Sequence, residues 1–446
     1  MNSRLKIKIF LLLLGDIVAL YASLWLTLLI RYRIVPDTPA FLEIASPFSF
    51  IFFLWILIFY INGLYDLPSL KNNLRFVGRI FGALLSSAIL SIILFYFVPF
   101  FGITPKTTLF IFLGIFGIVG YLWRAMVNDA FSVGAPSTRI LLVGTAPTAE
   151  ELAGKIGSNP QLGYEVRFWM KEGLEDKEFS HLAQIILAES INLIVVPAHI
   201  KKNSRAARVM YQTLALGIEV VDLAELYEVL FKKIPLAELE EVWFLENIAK
   251  RHRTYELLKR PLEMILSLAL SILFFLFAIV IGLYILFADG LPIIYAQKRV
   301  GQFGRVFTLY KFRTLRRDAE ASGPQWAAHK GDRRALPLGN LLRKSHLDEA
   351  PQLWNIFRGD LSLVGPRPER PEFTERLKTE IPYYDLRHLI RPGITGWAQI
   401  NYRYGASVED AYQKLQYDIY YLKNRSLILD ILIVLKTIKL FFANIS

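Results

Sequence analysis

The chain has 446 residues, enough for two or three domains, and 54% of them are hydrophobic, with a mean hydropathy of +0.38. That is too apolar for an ordinary soluble enzyme and points to a membrane. Cysteine is absent, which excludes disulfides and thiol catalysis, and the net charge of +12 suits anionic headgroups or a phosphorylated substrate.

Apolar runs cover residues 9–30, 46–64, 76–97 and 108–123. Each is near the ~20 residues that a helix needs to cross a hydrocarbon core. The first lacks a clear small-residue cleavage site and ends in Arg31 and Arg33. It reads as a retained span, not a signal peptide. Arg4, Lys6 and Lys8 precede it, Lys71, Arg75 and Arg79 mark the second short loop, and Arg124 follows the fourth run. This bias puts both ends of the segment inside. The expectation is a four-helix membrane bundle over residues 1–128.

Residues 136–250 alternate strand and helix signals. Strands are expected at 139–144, 193–197 and 218–221, and helices at 182–190 and 205–216. The pattern predicts a parallel sheet. The turn Gly144-Thr145-Ala146-Pro147 lacks the later glycines of a dinucleotide fingerprint, and Pro147 removes an amide donor. A degenerate Rossmann-like cytoplasmic domain is expected, with a regulatory or assembly role. The histidines are scattered without zinc spacing and no nucleic-acid module is visible, so nucleic acid is not an expected partner.

Residues 264–287 carry no charge over 24 positions. Lys250, Arg251, Arg253, Lys259 and Arg260 precede them, and Lys298, Arg299, Arg305 and Lys311 follow. A simple span would put one basic set outside, against the charge bias. A segment entering and leaving through one leaflet, over 262–288, avoids this. Residues 426–442 read as an in-plane amphipathic helix or as a buried core helix. Tyr383, Tyr384, Trp397, Tyr402 and Tyr404 suit headgroup depth or an ordinary half-buried setting.

The densest signal lies at Ser345-His346-Leu347-Asp348-Glu349-Ala350-Pro351-Gln352-Leu353 and Gly359-Asp360-Leu361-Ser362-Leu363-Val364-Gly365-Pro366-Arg367-Pro368. From Gln297 to His346 the chain holds Lys298, Arg299, Arg305, Lys311, Arg313, Arg316, Arg317, Lys330, Arg333, Arg334, Arg343 and Lys344 against Asp318, Glu320 and Asp332. Such an excess suits phosphate oxygens, which arginine forks bind well. Two carboxylates in that field are expected to stay ionised. They are candidates for nucleophile, base or divalent-metal ligand. His346 reads as a surface residue.

These blocks resemble the bacterial sugar transferase family, the monotopic polyprenyl-phosphate hexose-1-phosphate transferases or phosphoglycosyl transferases. Flanking pieces match in order: Gln297-Lys298-Arg299-Val300-Gly301, Lys311-Phe312-Arg313-Thr314, Arg391-Pro392-Gly393-Ile394-Thr395-Gly396-Trp397 and Tyr417-Asp418-Ile419-Tyr420-Tyr421. The resemblance implies a C-terminal, mostly α catalytic domain over 255–446 with a re-entrant membrane helix at 262–288. Two departures stand out: no Ser-Pro breaks the middle of that helix, and Glu263 stands where the family has Asp.

The implied reaction moves hexose-1-phosphate from a UDP-hexose, glucose or galactose by analogy of layout, to undecaprenyl phosphate with release of UMP. It is the first membrane step of exopolysaccharide, capsule or O-antigen synthesis, on the cytoplasmic face of the bacterial inner membrane. The resemblance implies Asp348 as nucleophile, forming an aspartyl-phosphosugar. It implies Glu349, with Asp348, as the Mg²⁺ ligands, or Glu349 as a base. Arg343 and Arg367 are carried over as phosphate ligands, Pro366 and Pro368 as their backbone frame, and Asp418 as a further functional carboxylate. Lys298, Arg299, Lys311 and Arg313 are candidates for the nucleotide, the polyprenyl phosphate or lipid headgroups. The lipid bilayer is an expected partner, and a homo-oligomer stays open. Two alternatives stay open as well. One is a nucleotide-sugar dehydratase, on the Tyr255-x-x-x-Lys259 spacing. The other is an inactive scaffold for polysaccharide export.

Overall fold

The computed structural model describes residues 2–97, 106–133, 138–171, 179–248, 253–316, 334–402, 405 and 407–445. Lys250, Arg251, Arg317, Asp318, Glu320, Lys330, Asp332, Arg333 and Tyr404 lie outside them. The chain divides into two compact units, Met1–Val229 and Leu230–Ser446.

The first unit opens with four long helices, α1 (Asn2–Tyr32), α2 (Thr38–Ile61), α3 (Leu74–Phe97) and α4 (Lys106–Val133). Aromatic rings hold them together. Phe52 stacks on Phe112 at 5.3 Å, Phe59 on Phe116 at 5.9 Å, and the buried Trp55 donates to Ser91 Oγ at 2.9 Å. The sequence places Arg124 just past the fourth run, yet it is buried inside α4. Its guanidinium pairs with Asp16 of α1 and donates to the Leu64 carbonyl at 2.8 Å, while Tyr65 donates to Asp16 Oδ2 at 2.7 Å. A paired, hydrogen-bonded charge can be buried where a lone one cannot.

A four-stranded, all-parallel sheet follows, in the order β2-β1-β3-β4. Its strands are β1 (Thr138–Val143), β2 (Tyr164–Met170), β3 (Leu193–Val196) and β4 (Glu219–Asp222). Helices α5 (Pro147–Gly157), α6 (Phe179–Ala188), α7 (Ala198–Lys202), α8 (Ser204–Thr213) and α9 (Leu223–Phe231) connect or follow them. Strand β2 escapes the sequence reading because Glu165 and Arg167 interrupt its apolar pattern. Such polar positions are tolerated on an edge strand. Gly144 closes β1 at φ +100°, and a Cβ there would sit 3.2 Å from Pro197 Cγ.

The second unit carries α10 (Glu241–Asn247) and then α11 (Arg253–Asp289). A hairpin of β5 (Ile294–Val300) and β6 (Val306–Phe312) follows, then α12 (Gly339–Lys344), α13 (Gln352–Arg358) and β7 (Ser362–Val364). The chain continues through α14 (Pro371–Glu380), β8 (Gly393–Thr395), α15 (Trp397–Asn401), α16 (Val408–Asn424) and α17 (Leu427–Ile445). Its core gathers Ile381, Tyr384, Leu415, Ile419, Tyr421 and Ile433. Tyr384 and Trp397 are therefore core residues and not headgroup contacts. Helix α17 buries Ile433 and exposes Ile428 and Ile431, so one face is core and the other apolar and open. Helices α1 to α4 and α11 are long and apolar enough to cross a membrane.

The expected helix-break-helix over 262–288 is absent: α11 runs on without interruption, with Pro261 inside it. Nothing in its middle forces a break. Ser267 Oγ donates to the Met264 carbonyl at 3.0 Å and Ser271 Oγ to the Ser267 carbonyl at 2.7 Å. Such back-bonding bends a helix without ending it. Both ends of α11 are anchored in the second unit. Near its start, Lys259 Nζ donates to Val364 O at 2.8 Å and Tyr255 OH at 2.8 Å, and lies 3.0 Å from Asp430 Oδ2. Arg260 donates to the carbonyls of Ile356 and Phe357, capping α13. Glu263 accepts from Ser362 Oγ and from Leu363 N at 2.9 Å. Near its end, Ile281 and Ile285 are buried with Phe312, Leu336 and Leu342.

Removing Lys259 would leave the buried Asp430 carboxylate without its cation, with only the Tyr255 and Tyr421 hydroxyls still donating to it. Lys259→Met is expected to destabilise the second unit by about 3–5 kcal/mol. Denaturant unfolding in detergent, against wild type, checks this.

Candidate active site

Three backbone devices build the site. The chain turns between α12 and α13 through His346, at φ +50°, and a single 3-10 turn Leu347–Glu349. That turn drives Asp348 inward, where it is 7% exposed. Next, Asn355 of α13, fully buried, docks strand β6: it donates to Thr308 O at 2.8 Å and accepts from Tyr310 N at 3.2 Å. The docked strand delivers Lys311 to the dyad. The third device is a close crossing of two motifs. Gly365 N donates to Thr395 O and Gly393 N to Pro366 O, both at 2.9 Å. A Cβ on Gly365 would sit 2.4 Å from Arg391 O, and one on Gly393 2.1 Å from Gly365 N. No side chain fits there, so Gly365-Pro366-Arg367-Pro368 and Arg391-Pro392-Gly393 lock together by backbone alone. Pro366 and Pro368 are buried in that frame.

Arg367 then points its guanidinium at Glu349. Glu349 Oε1 takes Lys311 Nζ at 2.7 Å and Arg367 Nη2 at 3.4 Å, and His346 Nδ1 lies 3.9 Å from Oε2. Burial alone would raise the Glu349 carboxyl, but Lys311 and Arg367 outweigh it and hold it down to about 2. Asp348 differs. Burial, its largest influence, raises it, Lys311 draws it down and the Glu349 charge pushes it up, while Arg343 and Arg367 also lower it. The balance leaves it at about 6. The two neighbours are therefore unlike: Glu349 is firmly ionised, and Asp348 ionises only above mildly acidic pH. The Asp348 Oδ1 atom is buried with no hydrogen-bond partner.

The other sequence candidates fall in different places. Arg343 ends α12 half-buried, and its charge acts on Asp348. Lys298 is on the hairpin, donating to Thr308 Oγ1 at 3.1 Å. Arg299 donates to Pro368 O at 3.1 Å and lies 4.0 Å from Glu369, bracing the turn after Arg367. Arg313 is buried at the end of α11, donating to the Gly290 carbonyl at 2.5 Å and lying 3.4 Å from Asp289 Oδ2. It caps a helix and is not gathered at the dyad. Tyr255 and Lys259, the spacing behind the dehydratase alternative, are committed to the buried Asp430 network.

Asp418 is 2% exposed and pairs with Arg387 Nη2 at 3.0 Å. Burial pushes it up to about 6 against the pull of Arg387. Arg387 in turn donates to Tyr384 OH at 2.6 Å and to the Arg367 carbonyl at 2.9 Å. Asp418 is thus linked to the dyad through Arg387 and the Arg367 backbone. The sequence reading missed Arg387, since a lone arginine before His388 gives no signal of its partner 31 positions on.

The dyad also bears on metal binding. Among the described residues no group of three or more His, Asp or Glu forms a ready cation cage. The dyad supplies two carboxylates, one with an unpartnered buried oxygen. That donor set fits Mg²⁺, which keeps several waters and takes few protein oxygens when substrate phosphates complete its shell.

Comparison with known proteins agrees with this layout. The family described as Bacterial sugar transferase matches residues 254–444. A UDP-glucose:undecaprenyl-phosphate glucose-1-phosphate transferase of Caulobacter vibrioides is 37% identical over 186 residues, 41% of this chain and 69% of the relative. A UDP-N-acetylgalactosamine-undecaprenyl-phosphate N-acetylgalactosaminephosphotransferase of Aeromonas hydrophila is 40% identical over 185 residues, 42% of this chain. The chain spans 44% of that relative's length. A UDP-glucose:undecaprenyl-phosphate glucose-1-phosphate transferase of Klebsiella pneumoniae is 27% identical over 360 residues, 78% of this chain and 77% of the relative. With the dyad, the glycine crossing and all but the first residue of α11 inside the matched stretch, the chain belongs to the bacterial sugar transferase family.

The unequal environments predict unequal titration. As pH falls through about 6, Asp348 takes up a proton, while Glu349 stays ionised down to about 2. Infrared difference titration of wild type against Asp348→Asn, which cancels Asp418, should show one carboxyl band appearing near pH 6.

Proposed function

We propose that this chain transfers a sugar-1-phosphate from a UDP-sugar to a polyprenyl phosphate and releases UMP. The observation that carries this is the dyad: a buried Asp348 with an unpartnered oxygen, beside a Glu349 that gathers Lys311 and Arg367. The printed names of the relatives supply the substrate classes: UDP-glucose, UDP-galactose or UDP-N-acetylgalactosamine, with undecaprenyl phosphate in several.

The chemistry runs in two displacements. An oxygen of ionised Asp348 attacks the β-phosphorus of the UDP-sugar. The bond from that phosphorus to the bridging oxygen breaks, and UMP leaves with the electron pair. An acyl phosphate carrying the sugar remains on Asp348. A phosphate oxygen of the polyprenyl phosphate then attacks the same phosphorus. Asp348 departs as a carboxylate, and a polyprenyl diphosphate sugar forms. Lys311 and Arg367 stand together before substrate arrives, so they stabilise developing phosphate charge with little reorganisation. Arg343 adds charge on the Asp348 side. Glu349 and Asp348 are the residues that would hold Mg²⁺, which when bound would shield the phosphate oxygens. Asp418 acts through Arg387 to keep Arg367 in place.

In this reading α1 to α4 form a membrane bundle in the bacterial inner membrane. The parallel sheet of the first unit is a Rossmann-like domain at the cytoplasmic face. Helix α11 enters the bilayer without crossing it. What supports the last point is its anchoring: from Lys259 to Ile285 a straight helix measures about 39 Å. A helix spanning the bilayer would carry those ends to opposite sides, yet both are buried against residues of the second unit.

A UMP-release screen of UDP-glucose, UDP-galactose and UDP-N-acetylgalactosamine with undecaprenyl phosphate tests the activity. One donor should release UMP, EDTA should stop it and Mg²⁺ restore it. Labelled donor alone should leave label on Asp348, with a rate that falls as pH drops through about 6. Asp348→Asn should abolish both label and turnover, and substantial turnover by that variant would remove Asp348 from the nucleophile's role.

For topology, single cysteines at Arg260 and Ala296 in this cysteine-free chain are expected to react with an impermeant thiol reagent from the same side of oriented vesicles. Labelling from opposite sides would mean that α11 crosses.

A further inference from the structure

A small polar notch, about 20 Å³, opens where the first turns of α11 meet Gln302 of the hairpin turn, the segment before β8 and the end of α16. Neither the dyad nor Lys311, Arg343 or Arg367 lines it. A single water needs roughly 10–15 Å³, so the notch admits about one oxygen-sized group. A ligand would insert one oxygen and keep the rest outside, which a whole sugar or nucleotide does not fit. The charges around the notch do not cancel. Lys259 is held by Asp430 at 3.0 Å. Arg425 Nε is buried without a hydrogen-bond partner, and Glu256 Oε1 lies 3.5 Å from it on a side chain 46% exposed. Among the described residues no carboxylate pairs with Arg391, and the charge of Arg260 repels it. Guanidinium groups with spare donors suit phosphate oxygens. The surroundings are apolar and open. Leu258 and Leu262 are 50% and 54% exposed, and each lies three positions on from a notch residue of α11, Tyr255 and Lys259, so they form the neighbouring strip of the helix. Leu389, Ile428 and Ile431 are exposed as well.

We propose that Arg391 and Arg425 bind the phosphate of an anionic phospholipid headgroup, with one oxygen in the notch and the acyl chains along Leu258 and Leu262. The choice of a lipid over a soluble phosphate rests on α11 entering the bilayer, as read above. The phosphate competes with Glu256 for Arg425, and the half-exposed Glu256 side chain can swing aside into water. Lys259 keeps its place on Asp430 and supplies positive charge from behind. Binding here fixes the depth at which α11 starts in its leaflet, apart from the chemistry at Asp348. An anionic lipid is favoured over a zwitterionic one, because a second cation on the headgroup would meet the same two arginines.

Photo-crosslinking tests this on the purified full chain in nanodiscs. The probe is a phosphatidylglycerol with a diazirine near its headgroup, and adducts are mapped by mass spectrometry. A phosphatidylcholine carrying the same diazirine and a titration with inorganic phosphate run in parallel. The expected result is phosphatidylglycerol adducts at residues 255–262, 389–391 and 425–431, weaker with phosphatidylcholine and undisturbed by inorganic phosphate. Arg391→Gln should weaken that labelling about tenfold, equal to about 1.4 kcal/mol. Glu256→Gln removes the competing carboxylate and should strengthen it about threefold, the order of a half-exposed ion pair. The rise keeps the test decisive if Arg391→Gln folds poorly, since loss of structure would not tighten binding. Equal labelling by phosphatidylcholine, adducts confined to other segments, or labelling unchanged in both variants would overturn the proposal. Displacement by inorganic phosphate would make this a soluble-anion site and overturn the lipid. Two further readouts separate this site from the readings above. UMP release without adducts at the notch sinks the site and leaves the reaction standing, and adducts without UMP release do the reverse. Cysteines at Arg260 and Ala296 that react from opposite sides, with the adducts present, sink the topology and keep the site.

Discussion

Two adjacent carboxylates are buried in the second unit, and their charge has to be balanced. Burying an ionised group without partners is costly. The structure meets that cost unevenly. Glu349 receives Lys311 and Arg367 in direct contact. Asp348 feels the same cations and Arg343 at longer range, keeps one oxygen without a partner, and is pushed up to about 6. One carboxylate gathers cations, and the other keeps a buried oxygen without a hydrogen-bond partner. Much of the surrounding architecture brings those cations in. Asn355 docks β6 so that Lys311 arrives. The glycine crossing of β7 and β8 sets the Arg367 backbone, and Arg387, held by Asp418, fixes the Arg367 carbonyl.

Helix α11 ties this site to the apolar part of the chain. Its early residues cap α13 through Arg260 and fasten β7 through Lys259 and Glu263. Its later residues pack beneath β6 and α12. The site and the apolar helix are thus one packed object.

Several polar residues are spent on architecture instead of on a ligand. Arg313 and Arg299 belong to the basic set that suggests phosphate binding, but one ends α11 and the other braces the turn after Arg367. Arg124 carries the mark of a membrane boundary and is instead half of a buried pair with Asp16. A basic residue's sign is visible in a sequence, whereas its partner is chosen by the fold.

The sequence by itself determined what depends on local pattern. The apolar runs fall on α1 to α4, the second running three residues past the end of α2, strands β1, β3 and β4 follow their hydrophobic segments, and the Asp348-Glu349 block falls in the stretch that the family matches. These features are legible because hydropathy, turn chemistry and motif spacing act over a few residues. Tertiary structure decided the rest. It made α11 continuous from Arg253 to Asp289 where a break was expected, with the hydroxyls of Ser267 and Ser271 bonded to carbonyls of the same helix. It placed β2 on an edge where Glu165 and Arg167 are tolerated. It paired Asp418 with Arg387, and it made Asp348 and Glu349 titrate apart. Burial and long-range Coulomb interactions set those last outcomes. Both depend on which distant segments meet, and no short stretch of sequence encodes that.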